Sequence, residues 1–183
     1  MRVLHLMRHG PVVVDLARPS SQWELAPGAL ETITPLARKV RDVGFRRVVT
    51  SNQRKAVQTA RVLAEELGTT VEIRPGLEEH HRLGEQRIDS DEAFHKTISK
   101  FFARPTVVVF GTESASMAVE RFHRAVQDVM METDDDELVV SHGTLISLLV
   151  ERGGNGPAFS IWRSLRLPDH VTLEWPSLRR INA

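Results

Sequence analysis

Two histidines and two arginines stand beside short apolar segments of the sequence. Arg8 and His9 end the first segment, Arg54 follows the second, and His142 ends a later one. Side chains of this kind that meet in one crevice repel one another when charged, unless an anion neutralises them. A phosphoryl group meets this requirement, because a phosphomonoester carries close to two negative charges and several acceptor oxygens at neutral pH. The residue types therefore predict a site for phosphoryl chemistry.

The four side chains suit different tasks at such a site. Arg8 and Arg54 are expected to hold phosphoryl oxygens through paired hydrogen bonds from their guanidinium groups. A neutral imidazole presents a lone pair for attack on phosphorus while its other nitrogen donates to an orienting acceptor. We predict His9 as this nucleophile, because a strand end holds it rigidly and Gly10 leaves room for the substrate. We predict that His142, at a helix start, donates to a phosphoryl oxygen.

A departing alkoxide also needs a proton, which a buried carboxylic acid is well suited to supply. Glu79 and Glu78 are the candidates, since both lie in an unpatterned segment just after Leu77. The segment continues with His80 and His81, so an exposed loop and a metal site are alternative interpretations of this cluster.

Hydrophobic patterning places these residues on alternating strands and helices. Strands are predicted at residues 3–7, 47–50, 71–73, 138–140 and 171–175, and helices at residues 33–43, 56–67, 94–102, 118–130 and 145–150. The alternation predicts an α/β fold, namely a three-layer α/β/α sandwich with a mostly parallel central sheet and a small helical and loop lid. Ligands bind outside the carboxyl ends of the strands in such sheets. The candidate residues therefore share one expected location.

The length of 183 residues predicts one domain over residues 1–183, with a lid insertion at about residues 77–115. The chain has no cysteine, which excludes disulfides, thiolate nucleophiles and cysteine-bound metals. The acidic run at residues 134–137 is compatible with a metal site, but an acidic loop ahead of a strand is usually solvated. We expect neither a metal nor a cofactor.

The charge balance restricts the partners. The sequence has 24 Lys and Arg against 24 Asp and Glu, so its formal net charge is zero and no global field favours nucleic acid or an anionic membrane. No apolar run approaches the roughly 18 residues that a spanning helix needs. We therefore expect a cytoplasmic protein that binds a small phosphorylated substrate, with no nucleic acid or membrane partner and with its oligomeric state left open.

Three motifs together resemble the histidine phosphatase superfamily, whose members are similar to phosphoglycerate mutase. Residues 8–10 (Arg-His-Gly) match its signature, residues 50–60 resemble its second-arginine motif, and residues 139–143 resemble its second-histidine motif. Residues 23–25, and residues 111–114 ahead of Arg121, are secondary matches. In order and spacing the matches span nearly the whole chain.

This resemblance implies roles for individual residues. It implies that His9 accepts the phosphoryl group and that Arg8, Arg54 and His142 complete the phosphate pocket. The proton donor of the family usually lies two residues after a leucine, which points to Glu79 rather than Glu78.

The sequence also departs from the family pattern. Asp15 stands where mutases often have an asparagine near the phosphate, and a carboxylate there is expected to repel a dianion. Pro11 and Val12 replace the acidic or amide residue and the hydroxyl that follow the signature in many members.

The resulting function hypothesis is a phosphatase that transfers a phosphoryl group from a small phosphomonoester to His9 and then to water. A mutase is the nearer alternative, although it needs a more elaborate lid and the tail after Trp175 is short. A non-catalytic module that binds a phospholigand or a protein is an alternative of a different class. Sugar phosphates, nucleotide-derived phosphates and phosphohistidine on a partner protein are all compatible substrates.

Overall fold

Short apolar segments form one central sheet in the computed structural model, which describes residues 1–82 and 90–181. The strands are β1 (Arg2–Arg8), β2 (Arg47–Thr50), β3 (Thr70–Ile73), β4 (Glu137–Ser141) and β5 (Asp169–Trp175). Their order across the sheet is β3-β2-β4-β1-β5, with β5 antiparallel to β1 and the other neighbours parallel. The sheet is thus mostly parallel, as the sequence predicts.

Helices cover both faces of this sheet. In the described part of the chain they are α1 (Ala29–Lys39), α2 (Arg54–Leu67), α3 (Asp91–Ala103), α4 (Ala115–Met131), α5 (Gly143–Arg152) and α6 (Ala158–Ser164). Helices α1 and α2 share one apolar core with the sheet, and the remaining helices share the other. None of the helices in residues 1–82 and 90–181 is both long and apolar enough to cross a membrane.

Strand β4 shows how the sequence produces these layers. Successive strand side chains point to opposite faces. Leu138 and Val140 accordingly pack with Ile33 and Leu63 of the α1 and α2 layer, whereas Val139 belongs to the core on the opposite face. All five residues of β4 are buried, since helices cover both faces. The prediction of a three-layer α/β/α sandwich is confirmed.

The strand register brings the candidate residues to one edge of the sheet. Arg8, the last residue of β1, is opposite Ser141, and Thr50, the last residue of β2, is opposite Val140. Strand β4 lies between β1 and β2, so three consecutive strand ends are adjacent. The segments that follow them therefore meet at the carboxyl edge of the sheet.

The described residues of the segment predicted to form the lid include irregular structure and helix α3. Residues 77–82 have no helix or strand, and the rest of the predicted loop, residues 83–89, lies outside the described residues. Helix α3 packs on α6, where the rings of Phe94 and Trp162 are 6.0 Å apart. The sequence did not predict α6, because seven residues are too few to establish a helical period.

Candidate active site

His9 and His142 face each other across the adjacent ends of β1 and β4. The backbone amide of His9 donates to the carbonyl of Ser141 at 3.1 Å, which continues the β1 and β4 pairing past the end of the strand. Their imidazole ring centroids are 5.2 Å apart. The structure thus brings together the two histidines that the sequence places 133 positions apart, at 9 and 142.

The imidazole of His9 is held with one nitrogen free for reaction. Its Nδ1 lies 2.8 Å from the carbonyl oxygen of Gly10. A carbonyl only accepts hydrogen bonds, so Nδ1 carries the proton and Nε2 keeps its lone pair. Burial, together with the charges of Lys55 and Arg8, lowers the pKa of His9 to about 3. The neutral ring at ordinary pH has the form that a nucleophile requires.

Gly10 lies where a side chain would collide with α1. A β-carbon at this position would lie 2.8 Å from the side chain of Ile33 and 3.2 Å from that of Leu25. The absence of a side chain therefore lets the loop after β1 pack closely against α1. The Gly10 amide also donates to Thr59 Oγ1 at 3.0 Å, which helps to fix the residue whose carbonyl orients His9.

His142 is fully buried immediately before α5. Its Nε2 is 2.7 Å from the hydroxyl of Ser51, which follows β2. Its Nδ1 and the hydroxyl of Thr144 are buried without a hydrogen-bond partner among the described residues. Burial, with the nearby charges of Lys55 and Arg8 adding to it, lowers the pKa of His142 well below the usual value. The ring is therefore neutral in this arrangement.

Arg8 extends from the end of β1 toward the start of α5. Its Nη1 donates to the carbonyl of Leu165 at 2.7 Å, while its Nε is buried with no partner among the described residues. A β-carbon on Gly143 would lie only 3.0 Å from the guanidinium carbon. Glycine at the first position of α5 therefore leaves space for Arg8.

The structure does not bring Arg54 into this cluster. Its side chain is 54% exposed and its Nη2 pairs with Glu24 at 2.6 Å. The next residue, Lys55, is only 4% exposed, and its charge acts on both His9 and His142. Successive helical side chains point about 100° apart, so only one of two neighbours at the start of α2 can face the sheet edge. Lys55 occupies the position that was predicted for Arg54.

Lys55 is anchored inside the site. Its Nζ donates to the carbonyl of Ser20 at 2.8 Å and lies 5.5 Å from the ring centre of Trp23. Burial, with the charges of Arg82 and Arg8 adding to it, lowers its pKa to about 8 despite the carboxylate of Glu79. Lys55 thus remains protonated at neutral pH.

Arg82 is a further cation that the sequence did not single out. Its Nη2 lies 3.8 Å from Glu79 Oε2, and its charge reaches His9 and His142. The guanidinium also packs over the ring of Phe94 at 5.0 Å. Residues 77–87 have no hydrophobic period, so no signal in the sequence placed this arginine relative to the strand ends.

The two candidate glutamates point in different directions. Glu79 is buried, with Oε1 accepting from the amide of His80 at 2.8 Å and Oε2 lying 3.4 Å from the amide of Thr144 at the start of α5. Glu78 instead accepts from the amide of Gly76 and lies 3.4 Å from Arg121. Only Glu79 therefore joins the cluster at the sheet edge.

The structure also shows the surroundings of Asp15 and of the other acidic and histidine residues. Asp15 lies in the loop after β1, where it accepts from the amide of Ala17 and pairs with Arg18 at 3.3 Å. The Asp15 carboxylate is thus paired with a cation in its own loop. Within residues 1–82 and 90–181, no group of three or more His, Asp or Glu side chains is arranged to hold a metal ion.

The charges of the cluster match a dianion. Three cations, Arg8, Lys55 and Arg82, lie close to Glu79, so the cluster carries at least two net positive charges while the histidines are neutral. Such a set of largely buried cations is costly without a counter-charge. A phosphomonoester supplies a charge of the right size and sign.

The fold and this arrangement define a class of protein. Residues 4–174 match the sequence profile of the histidine phosphatase superfamily (branch 1), and the chain belongs to that family. The resemblance noted from the sequence motifs is therefore confirmed.

Individual relatives include both mutases and phosphatases. The chain is 28% identical over 191 aligned positions to a probable phosphoglycerate mutase, GpmB, of Serratia proteamaculans, covering 96% of this chain and 88% of that protein. Its structure is similar to that of a mycobacterial glucosyl-3-phosphoglycerate phosphatase in complex with VO3, with a TM-score of 0.75, 23% identity and coverage of 99% and 96%. It is also similar to a phosphoserine phosphatase from Entamoeba histolytica in complex with 3-phosphoglyceric acid, with a TM-score of 0.74, 18% identity and coverage of 99% and 94%. These structural likenesses establish the shared fold.

Proposed function

We propose that the protein is a phosphatase that hydrolyses a small phosphomonoester through a phosphohistidine on His9. The observation that carries the proposal is the orientation of His9, whose Nδ1 is fixed on the carbonyl of Gly10 so that Nε2 remains a neutral nucleophile. The surrounding net positive charge supports a dianionic substrate. The phosphatases among the structural relatives agree with this choice of reaction.

In the first step, His9 Nε2 attacks phosphorus. The P–N bond forms as the bond from phosphorus to the alcohol oxygen breaks, and Glu79 gives its proton to that oxygen. Arg8, Lys55 and His142 hold the three peripheral oxygens, whose charge they stabilise. The products of this step are the free alcohol, phosphohistidine and the Glu79 carboxylate.

In the second step, water attacks the phosphohistidine. Glu79, now a carboxylate, takes a proton from the water as the P–O bond forms and the P–N bond breaks. Inorganic phosphate leaves, His9 is again neutral, and Glu79 is again protonated. Atoms and charges balance over the cycle, with water as the only second substrate.

Phosphoglycerate mutase activity is the second candidate, because the relative from Serratia proteamaculans carries that name. A mutase passes the same phosphoryl group back to a second hydroxyl instead of to water. The two activities share the first step and differ only in the acceptor.

One panel of assays separates these candidates. The panel contains 3-phosphoglycerate, phosphoserine, glucosyl-3-phosphoglycerate and other phosphomonoesters. We expect the protein to release phosphate from at least one of them, and to isomerise phosphoglycerate more slowly than it hydrolyses it. Faster isomerisation would identify a mutase instead. Turnover of an activated aryl phosphate that is unchanged in His9→Ala would contradict both candidates, because both use His9 as the nucleophile. No turnover above the uncatalysed rate in the wild type would favour a non-catalytic binding module.

A further inference from the structure

Arg121 connects helix α4 to the irregular segment that carries Glu79. Its Nη1 donates to the backbone carbonyls of Gly76 and Glu78 at 2.8 and 3.1 Å, and its Nη2 lies 3.4 Å from the carbonyl of Glu79. This segment has neither helix nor strand. The carbonyl groups of an irregular segment have no partner within a helix or strand. The guanidinium group of Arg121 donates the hydrogen bonds instead.

Glu113 forms an ion pair with the same guanidinium group. Arg121 donates to both carboxylate oxygens, from Nε at 3.1 Å and from Nη2 at 2.6 Å. The buried carboxylate also accepts from the amide of His81 at 2.9 Å, and the backbone carbonyl of Glu113 lies 2.9 Å from His80 Nε2. The pair therefore contacts the segment on both sides of Glu79.

The Glu79 carboxyl group depends on this backbone for its position. Its Oε1 accepts from the next amide along the chain, that of His80, and its other oxygen has a longer contact with the amide of Thr144. The contact with the His80 amide moves together with the segment. The contact with the Thr144 amide forms only while the segment stays close to α5. An anchor on the carbonyls of this segment thus sets where the carboxyl group lies.

We infer that Arg121, oriented by Glu113, is a positioning residue that holds Glu79 where it can protonate the leaving group. The inference rests on the proposed role of Glu79 as proton donor and adds a residue pair that acts through it. A displacement of about 1 Å in a reacting group can cost about 100-fold in rate, so loss of the anchor has a measurable kinetic effect. The effect on the first step is specific, because in that step only leaving groups that need a proton depend on Glu79.

The test compares two substrates that differ in their need for an acid. 4-Nitrophenyl phosphate releases a weakly basic phenolate, which departs without a proton, whereas benzyl phosphate releases a basic alkoxide. We expect Glu79→Gln to lower kcat/KM for benzyl phosphate by about 100-fold or more and to change kcat/KM for 4-nitrophenyl phosphate far less, because kcat/KM reports the first step and not the hydrolysis of the phosphohistidine. We expect Arg121→Gln and Glu113→Gln to show the same selectivity with about a 10- to 100-fold loss on benzyl phosphate.

Arg124→Gln is the matched control on the same helix. Arg124 pairs with Glu120 on the exposed side of α4, and we expect its removal to leave the rates on both substrates unchanged. Inhibition by inorganic phosphate reports the phosphate pocket separately, and it should be unaltered in Arg121→Gln. Arg121→Lys keeps the charge without the planar fork, so it should recover only part of the rate on benzyl phosphate.

The outcomes are distinguishable. Selectivity in Glu79→Gln without selectivity in the Arg121 and Glu113 variants would overturn this inference alone. No selectivity in Glu79→Gln would overturn the proposed proton donor, and the inference with it. Equal losses on both substrates, together with weaker phosphate inhibition, would assign Arg121 a merely structural role. If Arg121→Gln does not fold, Glu113→Gln and Arg121→Lys decide by the same criterion.

Discussion

Replacement of Lys55 tests which cation at the start of α2 binds the substrate. Lys55 is buried beside the two histidines, whereas its neighbour Arg54 is largely exposed and paired with Glu24. The informative changes are Lys55→Met, which removes the charge, and Lys55→Arg, which keeps the charge at all accessible pH values. Arg54→Gln is the matched control, since it removes a cation from the adjacent position.

The expected magnitude follows from the loss of one contact to a charged oxygen. A hydrogen bond to a charged group contributes about 1.5–3 kcal/mol, which corresponds to about a 10- to 150-fold change in kcat/KM. Lys55→Met should show this loss at neutral pH. Arg54→Gln should retain most of the activity, because its side chain lies outside the cluster.

The pH dependence gives a second signature of Lys55. Burial and the neighbouring arginines lower the pKa of Lys55 to about 8. The amine therefore loses its charge as the pH rises through that value, and kcat/KM should fall because the protonated form binds the dianion. In Lys55→Arg this fall should disappear, and in Lys55→Met the rate should be low on both sides of pH 8.

Steady-state rates of phosphate release across this pH range provide the assay. A Lys55→Met variant with full activity, or an alkaline fall in kcat/KM that persists unchanged in Lys55→Arg, would contradict the role of Lys55 as a phosphate ligand. A large loss in Arg54→Gln with little effect of Lys55→Met would restore the original assignment of Arg54 as the phosphate ligand.

Three further predictions concern packing and protonation. Gly143→Ala places a methyl group 3.0 Å from the Arg8 guanidinium, so kcat/KM should fall by about 10- to 100-fold in steady-state assays as the guanidinium moves. Burial, with the charge of His5 adding to it, lowers the pKa of His170 to about 4. The contribution of the neutral ring to the free energy of unfolding is fully present above the unfolded-state pKa of 6.5, and up to about 3 kcal/mol is lost as the pH falls toward 4. Urea unfolding at several pH values should show a smaller acid loss in His170→Gln. Bound phosphate should raise the pKa of His142, which NMR titration of the imidazole signals with and without phosphate would detect.

Each of these predictions has a contradicting result. Full activity of Gly143→Ala would show that Arg8 does not need the space that this glycine leaves. An identical acid loss of stability in the wild type and in His170→Gln would exclude His170 as its source. A His142 signal that titrates identically with and without phosphate would separate this ring from the bound anion.

The sheet and the meeting of its strand ends could be predicted because both depend on patterns that the sequence displays directly. The apolar runs in β1, β2 and β4 reflect burial on both faces. Once these runs are strands in a parallel sheet, their carboxyl ends must lie at one edge. His9 and His142 follow such runs immediately, so their proximity required no further information.

Lys55 and Arg82 show where prediction from sequence stops. Arg54 and Lys55 are adjacent cations at a helix start, and which one faces inward depends on the rotation of α2 about its axis rather than on residue type. Arg82 lies in a segment without periodicity, whose path is set by distant contacts from Arg121 and Glu113. Such contacts join residues more than 30 positions apart and leave no local pattern.

The most direct measurement is a rapid-quench single turnover with a ³²P-labelled phosphomonoester, followed by mapping of the label on the protein. The proposed mechanism predicts that labelled protein appears before inorganic phosphate, with the label on the imidazole of His9 and none on the His9→Ala variant. Phosphate release with no labelled protein at any time, or a label on a different residue, would contradict the phosphohistidine mechanism.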